Sequence, residues 1–362
     1  MANSLELISG RFVLIEPMIS ARLHRVGNEL HIDRVNIPLI SQDEVLVNVR
    51  ACGICHSDIN YSRGIAPVGR LPITLGHEIA GTIAKTGLSV RGMHKGDRVL
   101  VHYVISCGVC EYCRAGHENY CTQYKMIGKD VDGGFAEYVK VPASSIVKLP
   151  DKLPFEQAAI IGCAVPTAYH ALKRGRVRPG DTVVVFGIGG LGVHAVQLAE
   201  RVFKAGLVVA VDVLGWKLKL ARQLGAKATV NASTHDVPEE ISKFTGGSFA
   251  DVIIDFVGRK ESMTQAIASV GKGGRVVIVG ISKDSVQISP YKTVIGREME
   301  IIGVNDHLKS ELFELLRFVR LRKINLTRSV THRVTLEIIN QGFGILESGH
   351  EKAIRVVVTT NT

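Results

Sequence analysis

Thr182-Val-Val-Val-Phe186-Gly187-Ile-Gly189-Gly190-Leu191-Gly192 reads as a buried strand that runs into a glycine turn and then a helix, and this stretch decides the fold. An uninterrupted apolar run of this length suits a strand covered on both faces of a sheet. In the turn, Gly187 permits the tight reversal and Gly189 lets the backbone approach a pyrophosphate, with Gly190 and Leu191 also expected at the cofactor. Gly192 lets the following helix, expected from Leu191 to Lys204, pack on the strand with its first amides facing the anion. Glycine turns are common, so the pattern gains weight from its surroundings. Asp212 ends the next strand, Leu207-Val-Val-Ala-Val-Asp212, 20 residues beyond Gly192. A carboxylate there accepts hydrogen bonds from the adenosine ribose hydroxyls and repels a 2′-phosphate, which favours NAD over NADP. The competing reading is a generic strand, turn and helix with an incidental aspartate.

The same rhythm continues downstream. A helix is expected over Trp216 to Leu224, and further strands over Ala250 to Asp255, Arg275 to Val279 and Met299 to Gly303. Continuous apolar strands separated by helices indicate a doubly wound parallel sheet. Upstream the style differs. Glu44 to Arg50, Ile79 to Ala84 and Arg98 to Val101 are short strands bounded by glycines and prolines, as in an all-β domain. After about residue 305 come one more helix and a strand, Ala353-Ile-Arg-Val-Val-Val358, that could return to the first domain. The expected class is therefore α/β with a separate β-rich domain. The β-rich domain takes residues 1–164 and is completed by 305–362, and the dinucleotide-binding domain takes 165–304.

A chain of 362 residues is long for one hydrophobic core, in keeping with two domains. Hydrophobic residues make up 46% of it, yet no apolar run approaches the roughly 20 residues of a membrane span. The start carries no pattern of a secretion signal, and seven cysteines suit a reducing compartment, so a soluble cytoplasmic protein is expected. The net charge of +10 raises the question of nucleic acid. Neither basic run, Lys173 to Arg178 or Arg317 to Lys323, is interleaved with stacking aromatics. The second reads as an amphipathic helix carrying Leu315, Leu316, Phe318 and Val319. No nucleic acid or membrane partner is expected, and attraction of an anionic cofactor or substrate is the simpler use of the charge.

Four of the cysteines form Cys107-Gly-Val-Cys110-Glu-Tyr-Cys113, closed by Cys121. This spacing lets one loop surround a tetrahedral ion, and a structural zinc is expected there. A disulfide framework fits a short secreted chain instead, and an iron-sulfur run would keep a shorter last spacer followed by proline. Cys52, Cys55 and Cys163 remain.

Gly53-Ile-Cys55-His56-Ser57-Asp58, Gly76-His77-Glu78 and Gly162-Cys163-Ala-Val-Pro-Thr167 precede the glycine turn in that order. With these segments the chain resembles, along nearly its whole length, a zinc-dependent medium-chain alcohol dehydrogenase. The resemblance implies a GroES-like β domain beside a Rossmann domain. It also implies a catalytic zinc held by Cys55, His77 and Cys163, two Zn²⁺ per chain, and reversible hydride transfer between an alcohol and NAD. It further implies that Ser57 passes the substrate proton outward, that Asp58 orients the ligand histidine, and that Glu78 stands behind the zinc or reaches it transiently. By the same resemblance His56 meets the pyrophosphate, Lys217 the adenosine ribose, and Tyr103 lines the substrate pocket. A homo-oligomer, dimer or tetramer, is implied, with the strand near Met299 to Gly303 as a candidate contact. Two positions depart from the family pattern. Asn60 stands where many relatives carry a relay histidine, and Cys52 has no family role, so it is read as a packed thiol. Alternatives are a polyol or CoA-linked hydroxyacyl dehydrogenase of the same superfamily, or a non-catalytic zinc-stabilised binding protein.

Overall fold

The computed structural model describes residues 4–8, 11–15, 17–349 and 352–360. They divide into two compact units, one holding the described residues up to Cys163 and those from Val330 onward, the other Ala164–Ser329.

The first unit is built on a seven-stranded sheet. Its path runs Ile146–Lys148, Arg98–Val101, Glu78–Thr86, Glu44–Ile54, Arg355–Thr359 and Val330–Thr335, with Tyr138–Pro142 also pairing on Glu44–Ile54. All these pairings are antiparallel except that of Val330–Thr335 with Arg355–Thr359. The central strand outruns the sequence expectation, continuing past Arg50 to Ile54. Alternation fails there because Ala51 to Ile54 are all buried, leaving no polar face to read. In this second half Gly53 faces Glu78 on one side and Val357 on the other, while Ile54 faces Val356. The register thus fixes what lies beside residue 55.

The second unit is a six-stranded parallel sheet. In space the strands run Ala228–Asn231, Leu207–Asp212, Thr182–Phe186, Ala250–Asp255, Val270–Ile278 and Glu300–Gly303, the order 3-2-1-4-5-6. Val183, Val184, Val209, Ile253, Val276 and Val277 have no exposed surface, as a sheet covered on both faces requires. The helix after the glycine turn spans Gly192–Arg201, shorter at both ends than expected. Residues beyond it leave helical geometry, with Lys204 at φ 61°. The segment from 305 to 329 lies in this unit rather than in the first. Its helix, Lys309–Arg320, is tied to Ala164–Arg174 by Glu311, which accepts from His170 at 3.0 Å, and by Glu314, which accepts from the Tyr169 hydroxyl at 2.5 Å. Among the described residues no helix is long and apolar enough to cross a membrane.

Candidate metal centre and dinucleotide turn

Cys55 caps the short helix His56–Ser62 at the end of the central strand. The Asp58 carboxylate, fully buried, accepts from the Cys55 amide at 2.8 Å and from the Gly76 amide at 3.2 Å, so it ties the turn carrying Cys55 to the one carrying His77. Its Oδ1 also lies 3.4 Å from His77 Nδ1, and the Tyr103 ring meets the imidazole edge-on at 5.1 Å between centroids. Cys163 arrives from the end of the first unit, after the helix Phe155–Ile160. The donor atoms of Cys55, His77, Glu78 and Cys163 all lie within 4.8 Å of one another, and all four residues are buried.

A metal ion answers a need this arrangement creates. Beyond the Asp58 contact at Nδ1, His77 Nε2 makes no hydrogen bond, although the residue has no exposed surface. A buried polar atom without a partner is costly, and a metal ligand has a partner by definition. The Cys163 contact chiefly holds the Cys55 thiol well below the ordinary range and pushes the Cys163 thiol up, as expected of two sulfurs competing for one proton. Tetrahedral ligands at about 2.0–2.3 Å from zinc stand roughly 3.3–3.8 Å apart, inside the 4.8 Å within which these donor atoms lie.

Beside this set lies an ion pair that the sequence reading missed. Arg355 contacts the Glu78 carboxylate, with the two residues 3% and 0% exposed. Burial pushes the Glu78 carboxyl up to about 7 against the opposing pull of Arg355. Room for it comes from Gly53, where a Cβ would stand 2.0 Å from Glu78 Oε2. The available signal was a lone arginine inside the apolar run Ala353 to Val358. Two thiolates balance a divalent ion, and Glu78 and Arg355 balance each other, so the Asp58 carboxylate beside His77 is the one further charge at the loaded site.

Of the other first-unit residues singled out, Ser57 places its Oγ 3.7 Å from Cys55 Sγ, and His56 is exposed. Asn60 is buried, its carbonyl accepting from Ile65 and Ala66. Cys52 is fully buried and belongs to neither donor cluster.

The four-cysteine loop is a second, separate cluster. The sulfurs of Cys107, Cys110, Cys113 and Cys121 lie within 4.8 Å of one another. Backbone amides converge on them: those of Cys107 and Gln123 donate to Cys121 Sγ at 3.2 and 3.3 Å, and that of Cys110 to Cys107 Sγ at 3.4 Å. Amides aimed at sulfur favour thiolates, the form that binds metal. Cys110 accordingly falls to about 6, its sulfur accepting from the Cys113 and Thr122 amides.

In the second unit the glycine turn has the shape its sequence implies. Gly187 has φ 82°, a conformation side chains disfavour, and a Cβ on Gly192 would stand 2.0 Å from the Gly187 carbonyl. A Cβ on Gly189 would meet nothing within 4 Å, leaving the approach that a pyrophosphate needs open. Gly190 and Leu191 complete the turn, with Leu191 at the helix N-cap. Asp212 is 8% exposed and accepts from the Ile188 amide at 2.7 Å and the Leu214 amide at 3.0 Å, which fixes it beside the turn. Lys217 Nζ lies 3.9 Å from it.

Comparison with known proteins agrees with this architecture. The family described as alcohol dehydrogenase GroES-like domain matches residues 41–151, and that described as zinc-binding dehydrogenase matches 190–320. An alcohol dehydrogenase of Geobacillus stearothermophilus is 38% identical over 92% of this chain and 97% of its own. The crystal structure of the alcohol dehydrogenase from Aeropyrum pernix superposes with a TM-score of 0.87 at 33% identity, covering 94% of this chain and all of the other. A zinc-binding dehydrogenase structure from Sinorhizobium meliloti, bound to NADP, gives a TM-score of 0.88 at 31% identity over 95% of this chain and 100% of its own. The chain belongs to the zinc-dependent medium-chain dehydrogenase/reductase family. It is an oxidoreductase with a GroES-like unit and a Rossmann unit.

Proposed function

We propose that the protein is a zinc- and NAD-dependent alcohol dehydrogenase that moves a hydride reversibly between a primary or secondary alcohol and NAD, with aldehyde or ketone as the other product. The observation that carries this reading is the buried set of Cys55, His77 and Cys163, in which His77 Nδ1 faces Asp58 and Nε2 has no hydrogen-bond partner. Bound there, zinc supplies Lewis acidity that eases deprotonation of a hydroxyl. Asp58 holds the Cys55 and His77 turns in place, and Arg355 offsets the charge of Glu78. Ser57 passes the substrate proton outward, taking it on its hydroxyl while releasing its own hydroxyl proton to water, because Asn60 has no titratable atom near neutral pH to take it further. The glycine turn binds the pyrophosphate, with His56 and Lys217 as further contacts to the cofactor. Asp212 accepts from the ribose hydroxyls and disfavours a 2′-phosphate. Tyr103, against His77, bounds the substrate pocket. We further propose the Cys107 loop as a structural zinc site.

A panel of primary, secondary, cyclic and aromatic alcohols tests the reading on zinc-replete protein. NAD reduction is expected with part of the panel, at least ~10-fold more efficiently than with NADP. Silence across the whole panel, with two zinc ions bound, would defeat it.

A further inference from the structure

The basic charge of the chain is concentrated in one unit. Residues 164–329 hold 24 of the 44 Lys and Arg residues but only 15 of the 34 Asp and Glu. Part of that excess converges on a cavity of about 410 Å³ lined by Arg176, Arg178, Gly273, Arg275 and Glu300. We propose that Arg176, Arg178 and Arg275 form a binding site for a small phosphate-bearing anion, distinct from the dinucleotide turn.

Its position separates it from the cofactor. Arg178 precedes the strand Thr182–Phe186 and Gly187 follows it, so the two mark opposite ends of a parallel sheet. Five residues of strand span about 17 Å. Nucleotides in such sheets bind at the carboxyl ends, and the arginines stand at the amino ends.

The local structure holds cations together where a neutral surface would have been easier to build. Gly175 ends the helix Ala164–Arg174 and admits no side chain, because a Cβ would stand 2.9 Å from Val252. The left-handed residue that commonly follows a helix therefore falls on Arg176, at φ 51°, a conformation that costs an arginine more than a glycine. Its carbonyl accepts from Arg275 Nη1 at 3.1 Å, and its guanidinium pairs with Glu300. Arg275, 11% exposed, reaches Asp181 at 3.7 Å, yet its Nε is buried with no hydrogen-bond partner. Arg178 makes no side-chain ion pair among the described residues. Three guanidinium groups thus face two carboxylates, leaving one unneutralised cation and one unsatisfied buried donor. A phosphate oxyanion, whose oxygens match the guanidinium fork, neutralises that cation.

Calorimetric titration of the full chain with inorganic pyrophosphate, at ionic strength held constant with chloride, tests the site. One pyrophosphate per chain is expected, with binding unchanged by saturating NAD. Arg178→Gln, an exposed position, should weaken binding at least ~10-fold without moving the melting temperature. Arg275→Lys, which keeps the charge and loses the fork, should weaken it less. No binding, equal binding to the variants, or displacement by NAD would each overturn the proposal. So would a change of oligomeric mass in Arg178→Gln, which would make the cavity a subunit contact, or cosedimentation with phosphatidate vesicles, which would make it a headgroup site.

Discussion

The Cys107 to Cys121 loop gathers four sulfurs from fifteen consecutive residues and leaves Cys107, Cys110 and Cys113 partly exposed, whereas Cys55, His77, Glu78 and Cys163 come from separate elements and are buried throughout. In the loop, backbone amides do the arranging, so the site is local and can be lost without dismantling the sheet. In the buried set, strand register does it, with Gly53 opposite Glu78 and Ile54 opposite Val356, so site and sheet are one object. A loop site is suited to holding a chain together, and a register-built site to holding reactive groups in fixed positions.

The contrast is tested most severely by exchanging which cluster is damaged. Cys163→Ala should remove about one zinc per chain and lower turnover by about a thousand-fold or more while leaving the circular dichroism spectrum intact. Cys110→Ala should remove the other zinc, lower the melting temperature, and spare turnover at low temperature. Metal analysis beside melting curves reads both, and an active Cys163→Ala enzyme with two zinc ions would dissolve the distinction.

Next in size is the buried ion pair. Arg355→Met leaves the Glu78 carboxyl buried without its partner and should cost about 3–5 kcal/mol in chemical denaturation, much of it recovered in the Glu78→Gln/Arg355→Met double variant. Equal losses in the single and double variants would mean that Arg355 acts by packing alone.

A smaller effect is expected from the second unit, where a carboxylate is buried with no metal cluster about it. Burial pushes the Glu311 carboxyl up, but His170, 3.0 Å from both oxygens, together with the Leu308 amide at 3.0 Å and Lys173 at 3.3 Å, more than offsets this and holds it below the usual range. A carboxylate depressed by folding stabilises fully above its unfolded value, about 4.3, and loses that contribution as pH falls through the lower folded value. Glu311→Gln should therefore cost about 2 kcal/mol at pH 7, as for a hydrogen bond to a charged group, and the gap to the parent should close in acid. Melting both proteins between pH 7 and 3 checks the direction.

The smallest change is expected at the leftover thiol. Cys52→Ala should lower stability by about 1 kcal/mol through lost packing and leave two zinc ions bound. Loss of either ion would bring Cys52 into the comparison.

How much of this was legible in the sequence follows from the same contrast. The Cys107 loop and the glycine turn are contiguous, so spacing described the first and spacing with the flanking strand the second, and the strands Thr182–Phe186 and Leu207–Asp212 were readable as apolar runs. Cys55, His77 and Cys163 are isolated in sequence and were recognisable only by family resemblance. Arg355 escaped altogether, because its partner is fixed by a strand pairing that no local pattern records. The span 305–329 was misplaced for a related reason. Its helix is amphipathic in either unit, and the residues that assign it, His170 and Tyr169, lie far upstream.

The separation of Arg355 from Glu78 has a consequence for how the chain is made. The Ala164–Ser329 unit lies wholly between them, so a chain emerging from the ribosome completes that unit before the first one has its closing strands. The Rossmann unit, continuous in sequence, can nucleate as soon as it is released, whereas the metal-bearing sheet must wait for Arg355–Thr359 to slot beside Glu44–Ile54. Until then Glu78 lacks its cation, and the nascent protein has an interval in which its second half is native and its metal-bearing sheet is unfinished.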